Sequence, residues 1–125
     1  MKYMLMMFGD AETMMETQSP EWIKEMIGFM QRLDTELTES GELVFQLGLT
    51  DGSTAKVVRI DNGLPVTTDG PYAESKESLI GYWVVDVEDE ARALDIASRI
   101  AVYSQIVEVR QGADEPPEMD AGAQI

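Results

Sequence analysis

The chain has 125 residues, 44% hydrophobic and 26% charged, the make-up of one domain with a single core. Its net charge of −15 sets it against polyanions, so neither nucleic acid nor an anionic membrane surface is an expected partner. Cysteine and histidine are both absent, which excludes disulfides, a thiol nucleophile, zinc–thiolate sites and histidine acid–base chemistry; no metal site and no cofactor are expected.

Lys2 to Phe8 is a continuous apolar run of strand length, and its lack of polar alternation predicts burial on both faces. It is too short for a signal peptide and no small-residue cleavage site follows, and no stretch reaches the length of a membrane span, so the expected location is the cytoplasm. Gly9 to Gln18 reads as a polar loop whose Met14 and Met15 fold back onto apolar surface, since methionine adapts to irregular gaps.

Ser19-Pro20-Glu21 is a helix start: Ser19 as N-cap, Pro20 at the first helical position, and Glu21 complementing the helix dipole. Trp22, Met26, Phe29, Met30, Leu33 and Leu37 recur at helical spacing, widened by Ile23 and Ile27, with Glu25, Arg32, Glu36 and Glu39 on the outer face. Gly41 is the predicted stop. Such a stripe is far more often core packing than a ligand site.

Leu43 to Leu49 and Ala55 to Ile60 read as strands separated by the Asp51-Gly52 turn. Asp61-Asn62-Gly63 predicts a hairpin, because Asn-Gly supplies positive φ cheaply. Leu64 to Thr68 returns, and Pro65, which lacks an N–H, predicts an edge strand.

The stretch Val66 to Glu77 fits neither strand nor long helix. Gly70 is expected to leave the strand extended and Pro71 to turn it, with Asp69 accepting backbone N–H bonds beyond the turn and Ala73 to Ser78 forming about one helical turn. Leu79 to Val87 is the second strongly apolar strand. Acids at Asp86 to Glu90 then gather at the start of a helix from about Asp89 to Ala101, whose stripe is Leu94, Ala97 and Ile100 with Ala93 and Ala101. Gln105 to Arg110 is the last strand. The acidic, Pro- and Gly-containing segment 111–125 is expected to be a flexible tail to a domain spanning 1–110.

Strand, helix, strand, inserted hairpin, strand, helix, strand is the order of a split β-α-β, ferredoxin-like α+β fold: an antiparallel sheet with two helices on one face. Both parities of Tyr3–Phe8 and Tyr82–Val87 are largely apolar. The second sheet face must therefore be covered too, which predicts a homodimer.

Thr68-Asp69-Gly70-Pro71-Tyr72-Ala73-Glu74-Ser75-Lys76-Glu77, then Leu79, Gly81-Tyr82 and Val107-Glu108-Val109-Arg110, together with the opening Lys2 to Phe8, resemble the DGPF-type branch of the YCII-related proteins, with Tyr72 where that motif usually has phenylalanine. The resemblance covers roughly residues 1–110. It implies sheets paired face to face as a dimeric α/β barrel, and, from the gene neighbours of such relatives, a regulatory role beside extracytoplasmic-function sigma factors. Some relatives carry a histidine–aspartate pair thought to be catalytic; this chain has no histidine, so the pair is not transferable.

The candidate site residues cluster at the elbow. Asp69, Glu74 and Tyr82 are candidate acid–base groups. Lys76, Tyr72, Arg110 and Tyr3 are candidate contacts for a small polar or anionic ligand. Each has a plainer reading: Asp69 as a turn former, Lys76 as a solvated cation flanked by Glu74 and Glu77, the tyrosines as buried hydroxyls finding partners, and Glu108 with Arg110 as a structural ion pair. The reading that joins them is a small-molecule-binding or regulatory accessory protein with a cleft by the elbow. The alternative is an enzyme of lyase-, isomerase- or hydrolase-like reaction.

Overall fold

The computed structural model describes residues 1–72 and 78–113. The two apolar runs become the central strands, β1 (Lys2–Gly9) and, after three intervening strands, β5 (Ser78–Asp86). β2 (Leu43–Gly48) pairs on the outer side of β5 and β6 (Ile106–Gln111) on the outer side of β1, giving the order β2-β5-β1-β6 with every neighbour antiparallel. This is the ferredoxin-like arrangement expected from the element order. β3 (Lys56–Asp61) and β4 (Leu64–Asp69) form a separate two-stranded ribbon. Asn62 and Gly63 turn it with φ of 51° and 78°, as the Asn-Gly pair predicts. Pro65 sits on a ribbon strand, where a missing N–H leaves no neighbouring strand unpaired.

The register sorts the sheet into two faces. Leu43–Val85–Tyr3, Gln46–Trp83–Leu5–Val109 and Gly48–Gly81–Met7–Val107 form rows on one side. Phe45–Val84–Met4–Arg110 and Leu47–Tyr82–Met6–Glu108 form rows on the other. β5 is irregular opposite Met7 and Phe8, which brings Ile80 to the first side. Gly81 is required where it stands: a Cβ there would lie 3.0 Å from the Leu47 carbonyl oxygen and 2.7 Å from Met7 Cε.

The helices cover the first face. α2 (Pro20–Glu39) begins as read, with Ser19 accepting from the Trp22 N–H at 3.1 Å, and ends before Gly41 at φ 79°. α3 (Glu90–Ser104) is capped by Asp89, which accepts from the Arg92 N–H at 2.9 Å. Leu33 and Leu37 of α2 meet Ala93, Ile96, Ala97 and Ile100 of α3 over Tyr3, Leu5, Trp83 and Val85. Arg92 ties α3 to the start of β2 by two bonds to Glu42, each 2.9 Å, and the guanidinium holds the Glu42 carboxyl below the usual carboxylate range.

Three expectations are corrected. Residues 11–17 are not a loop but a third helix, α1 (Ala11–Thr17), because Asp10 caps it by accepting from the Thr13 N–H at 3.0 Å and from its hydroxyl at 2.7 Å. Leu94 is 48% exposed, and the buried stripe of α3 runs instead through Ala93, Ile96, Ala97, Ile100 and Ser104. Gly70 is not extended: its φ is 96°, so the turn is made by the glycine before Pro71, with the Gly70 N–H donating to the Ala55 carbonyl at 2.8 Å. The helical turn expected at 73–78 falls mainly on residues outside those described, although Ser78 already belongs to β5. The sheet ladder passes residue 110: β6 ends at Gln111, and Gly112 donates to the Lys2 carbonyl at 2.8 Å. The tail from 114 onward lies outside the described residues.

Gln105, between α3 and β6, has φ 72° and ψ −42°, near the rare classic γ-turn conformation. A non-glycine residue in such a region stores about 1–3 kcal/mol of strain. Gln105→Gly should therefore raise stability by about 1 kcal/mol after the extra unfolded-chain entropy of glycine is subtracted, raising the melting temperature by roughly 4 °C. A lower melting temperature in the variant would mean that the Gln105 side chain contributes more than its backbone costs.

Candidate functional site

The residues singled out at the elbow do not converge. Asp69 ends the exposed ribbon, where its carboxylate pairs with Lys56, its partner across the strands. Tyr72 is 80% exposed and lies under the Arg59 guanidinium, 5.3 Å from the ring centroid. Tyr3 is 2% exposed and belongs to the core on the helix-covered face. Its phenol is pushed above its usual range by burial and then by the nearby Glu90 and Asp89. Tyr82 stands on the opposite face beside Phe45, with ring centroids 6.2 Å apart. Arg110 is on that face too, bonded to Glu108 at 2.7 Å as the ion-pair reading expects. Glu74, Lys76 and Glu77 lie outside the described residues; of the positions just beyond Asp69, the Gly70 N–H goes to the Ala55 carbonyl and Pro71 has none to give.

What the fold does build is a chamber of about 320 Å³ between the helices and the covered face of the sheet. Its floor is Met7 of β1, Ile80 and Trp83 of β5, and Gln46 and Gly48 of β2. Met26 and Met30 of α2 form one wall. Tyr103 and Ser104, at the end of α3, form another. Met14 and Met15 of α1 border the remaining side, from a helix rather than a loop; Met14 is half-buried, whereas Met15 is 57% exposed and so does not fold fully back onto apolar surface. The size falls within the range of small-molecule sites, and the lining follows their pattern of apolar walls with few polar groups.

Each polar group has an identifiable state. Gln46 donates its side-chain N–H to Asp34 of α2 at 3.2 Å, leaving its carbonyl oxygen as an acceptor. The Tyr103 hydroxyl donates to Glu25 at 3.3 Å, and its ring packs on Phe29 at 4.9 Å and edge-on to Trp22 at 5.7 Å. Desolvation, and then the Glu25 carboxylate, raise the Tyr103 phenol above its usual range, so it remains a neutral donor. Ser104 makes long bonds of 3.4 and 3.5 Å to the Ile100 and Ile106 carbonyls. Trp83 Nε1 is buried and finds no acceptor among the described residues.

None of the described lining residues is charged. Among the described residues no cluster of three or more metal-ligating side chains occurs, and no helix is long and apolar enough to cross a membrane. A chamber with a neutral tyrosine, a serine hydroxyl, an amide and an indole can hold and orient a molecule. The sequence did carry one signal for it. Five of the nine methionines line the chamber, and eight of the nine lie within the first 30 residues, a concentration typical of adaptable binding surfaces. Trp83, Tyr103 and Gln46 gave no signal, because their convergence depends on the packing of α3 and β2.

The family model of the YCII-related domain matches residues 1–116. An uncharacterised protein of Rhizobium meliloti (strain 1021) is 28% identical over 97 residues, a stretch covering 78% of this chain and 77% of the relative.

Proposed function

We propose that this chain, which belongs to the YCII-related family, is a homodimeric small-molecule-binding protein, accessory rather than catalytic, which takes its ligand in the methionine-lined chamber. The single observation that carries the reading is the chamber itself: about 320 Å³, walled by thioethers and aromatic rings, with a few neutral polar groups. The homodimer rests on the uncovered sheet face. Met4, Phe45, Leu47 and Ile106 are each at least 36% exposed there, around Met6, Val84, Tyr82 and Phe8.

A site at the elbow is the weaker reading, because the described cations beside it are engaged, Lys56 by Asp69 and Arg59 over Tyr72, and Arg110, on the main sheet, is held by Glu108. A thermal-shift screen with three proteins separates the two. A true ligand should raise the melting temperature of wild type with concentration, corresponding to about 2.7 kcal/mol at one hundred times its dissociation constant. Met26→Trp, which fills the chamber, should abolish that shift, and Lys76→Ala should leave it intact. A hit that survives Met26→Trp and is lost in Lys76→Ala would move the site to the elbow. Turnover of a hit would make the protein an enzyme.

A further inference from the structure

We infer that the chamber selects a neutral molecule carrying a hydrogen-bond acceptor of the carbonyl type, and that the indole N–H of Trp83 is the donor that anchors it. This rests on the chamber being the ligand site.

Trp83 is 1% exposed and stands in the chamber floor, in the sheet row between Gln46 and Leu5. Indole nitrogen donates and does not accept, so its one requirement is an acceptor. None is found among the described residues. Buried polar groups in native structures are nearly all satisfied, so a donor left unpaired among the described residues, on a side chain that lines a ligand-sized chamber, points to a bond made to a ligand. Phenylalanine would fill most of that space without presenting a donor. The nitrogen is closed off from solvent, so the acceptor reaches it by side-chain repacking, and the methionines of the chamber lining have rotatable, polarizable chains that repack cheaply.

The charge of the ligand follows from what the chamber lacks and what surrounds it. A carboxylate or phosphate would enter with no cation among the described lining residues to compensate its desolvation, and would do so inside a chain of net charge −15. A cation would equally find no carboxylate in the described lining. A neutral carbonyl, as in a ketone, ester, lactone or quinone, satisfies the Trp83 donor and leaves the rest of the molecule to the apolar walls. Size sets the scale: a dry apolar cavity of roughly 150 Å³ holds one benzene ring, so this chamber takes one or two rings or their equivalent.

Acetophenone, cumene and benzoate are probes of equal heavy-atom count that differ in the group offered to the indole. In wild type, acetophenone should bind roughly tenfold tighter than cumene, and benzoate should bind more weakly than either. Trp83→Phe should erase the acetophenone advantage and leave cumene unchanged. The unsubstituted protein supplies an independent readout should that variant not fold. With two tryptophans in the chain, the Trp83 indole N–H resonance is assigned by comparison with Trp22→Phe. It should move downfield on titration with acetophenone and stay nearly fixed with cumene. Equal loss of acetophenone and cumene in Trp83→Phe, an unmoved indole proton, or benzoate binding tightest would overturn the inference. If instead a screened ligand that Met26→Trp abolishes proves to be anionic, this inference fails while the chamber reading stands. If no probe and no screened ligand responds to Met26→Trp, the chamber reading fails first.

Discussion

Ile96→Ala should destabilise the protein by about 3–4 kcal/mol, while Leu94→Ala, two residues away on the same helix, should cost no more than about 0.5 kcal/mol. Ile96 is 0% exposed and packs among Leu33, Leu37, Ala93 and Ile100 where α2 and α3 meet the sheet. Removing three of its carbons leaves a cavity that its helical neighbours cannot collapse into without moving the whole contact. Leu94 is 48% exposed, so truncating it mainly trades water contact for water contact. Both residues are large aliphatics in the same helix, so propensity differences cancel to a few tenths of a kcal/mol and the contrast isolates burial. Denaturant unfolding of the two variants against wild type measures it. Similar losses for both would mean that α3 is rotated about its axis relative to the arrangement described.

Val84→Asp should raise the dissociation constant of the proposed homodimer at least about 100-fold, or about 2.7 kcal/mol, while leaving the protomer folded. Val84 lies on central strand β5, with Phe45 on one side and Met4 on the other, on the face the helices leave uncovered. It is half-buried within the protomer, so an aspartate there can reach water when the chain is alone. Pressed against a second apolar sheet it would be a desolvated, unpaired carboxylate. The exposed ring of residues around it (Phe45, Leu47, Met4, Ile106) would still favour burial, which is why the effect is a weakened rather than a forbidden dimer. Light scattering across a dilution series, with circular dichroism as the folding control, reads the result. Wild type monomeric at micromolar concentration, or the variant dimerising as wild type does, would remove the homodimer.

The sequence by itself determined the secondary elements where a local rule was sufficient. Ser19-Pro20 started α2 and Gly41 stopped it, Asp89 with its neighbouring acids started α3, Asn62-Gly63 turned the ribbon, and two unbroken apolar runs became the central strands. From their order the ferredoxin-like sheet followed, because short connections leave few ways to pack two strand–helix–strand units. A local rule also stood unread at Asp10, whose Thr13 partner three residues on caps α1. Only the tertiary structure decided which side of α3 is core. Leu94 and Ile96 are equally apolar, and the 3.6-residue period fixes the width of a stripe but not which of two overlapping stripes meets the sheet. The same holds for the candidate site. Motif residues adjacent in sequence, such as Asp69 and Tyr72, were separated from Tyr3 because successive strands carry them to different sheets and different faces. Met7, Met26, Trp83 and Tyr103, scattered over nearly a hundred positions, were brought around one chamber by the register of β5 on β1 and the docking of α2 and α3. A chamber is a property of distances between elements, and no single stretch of chain encodes those distances.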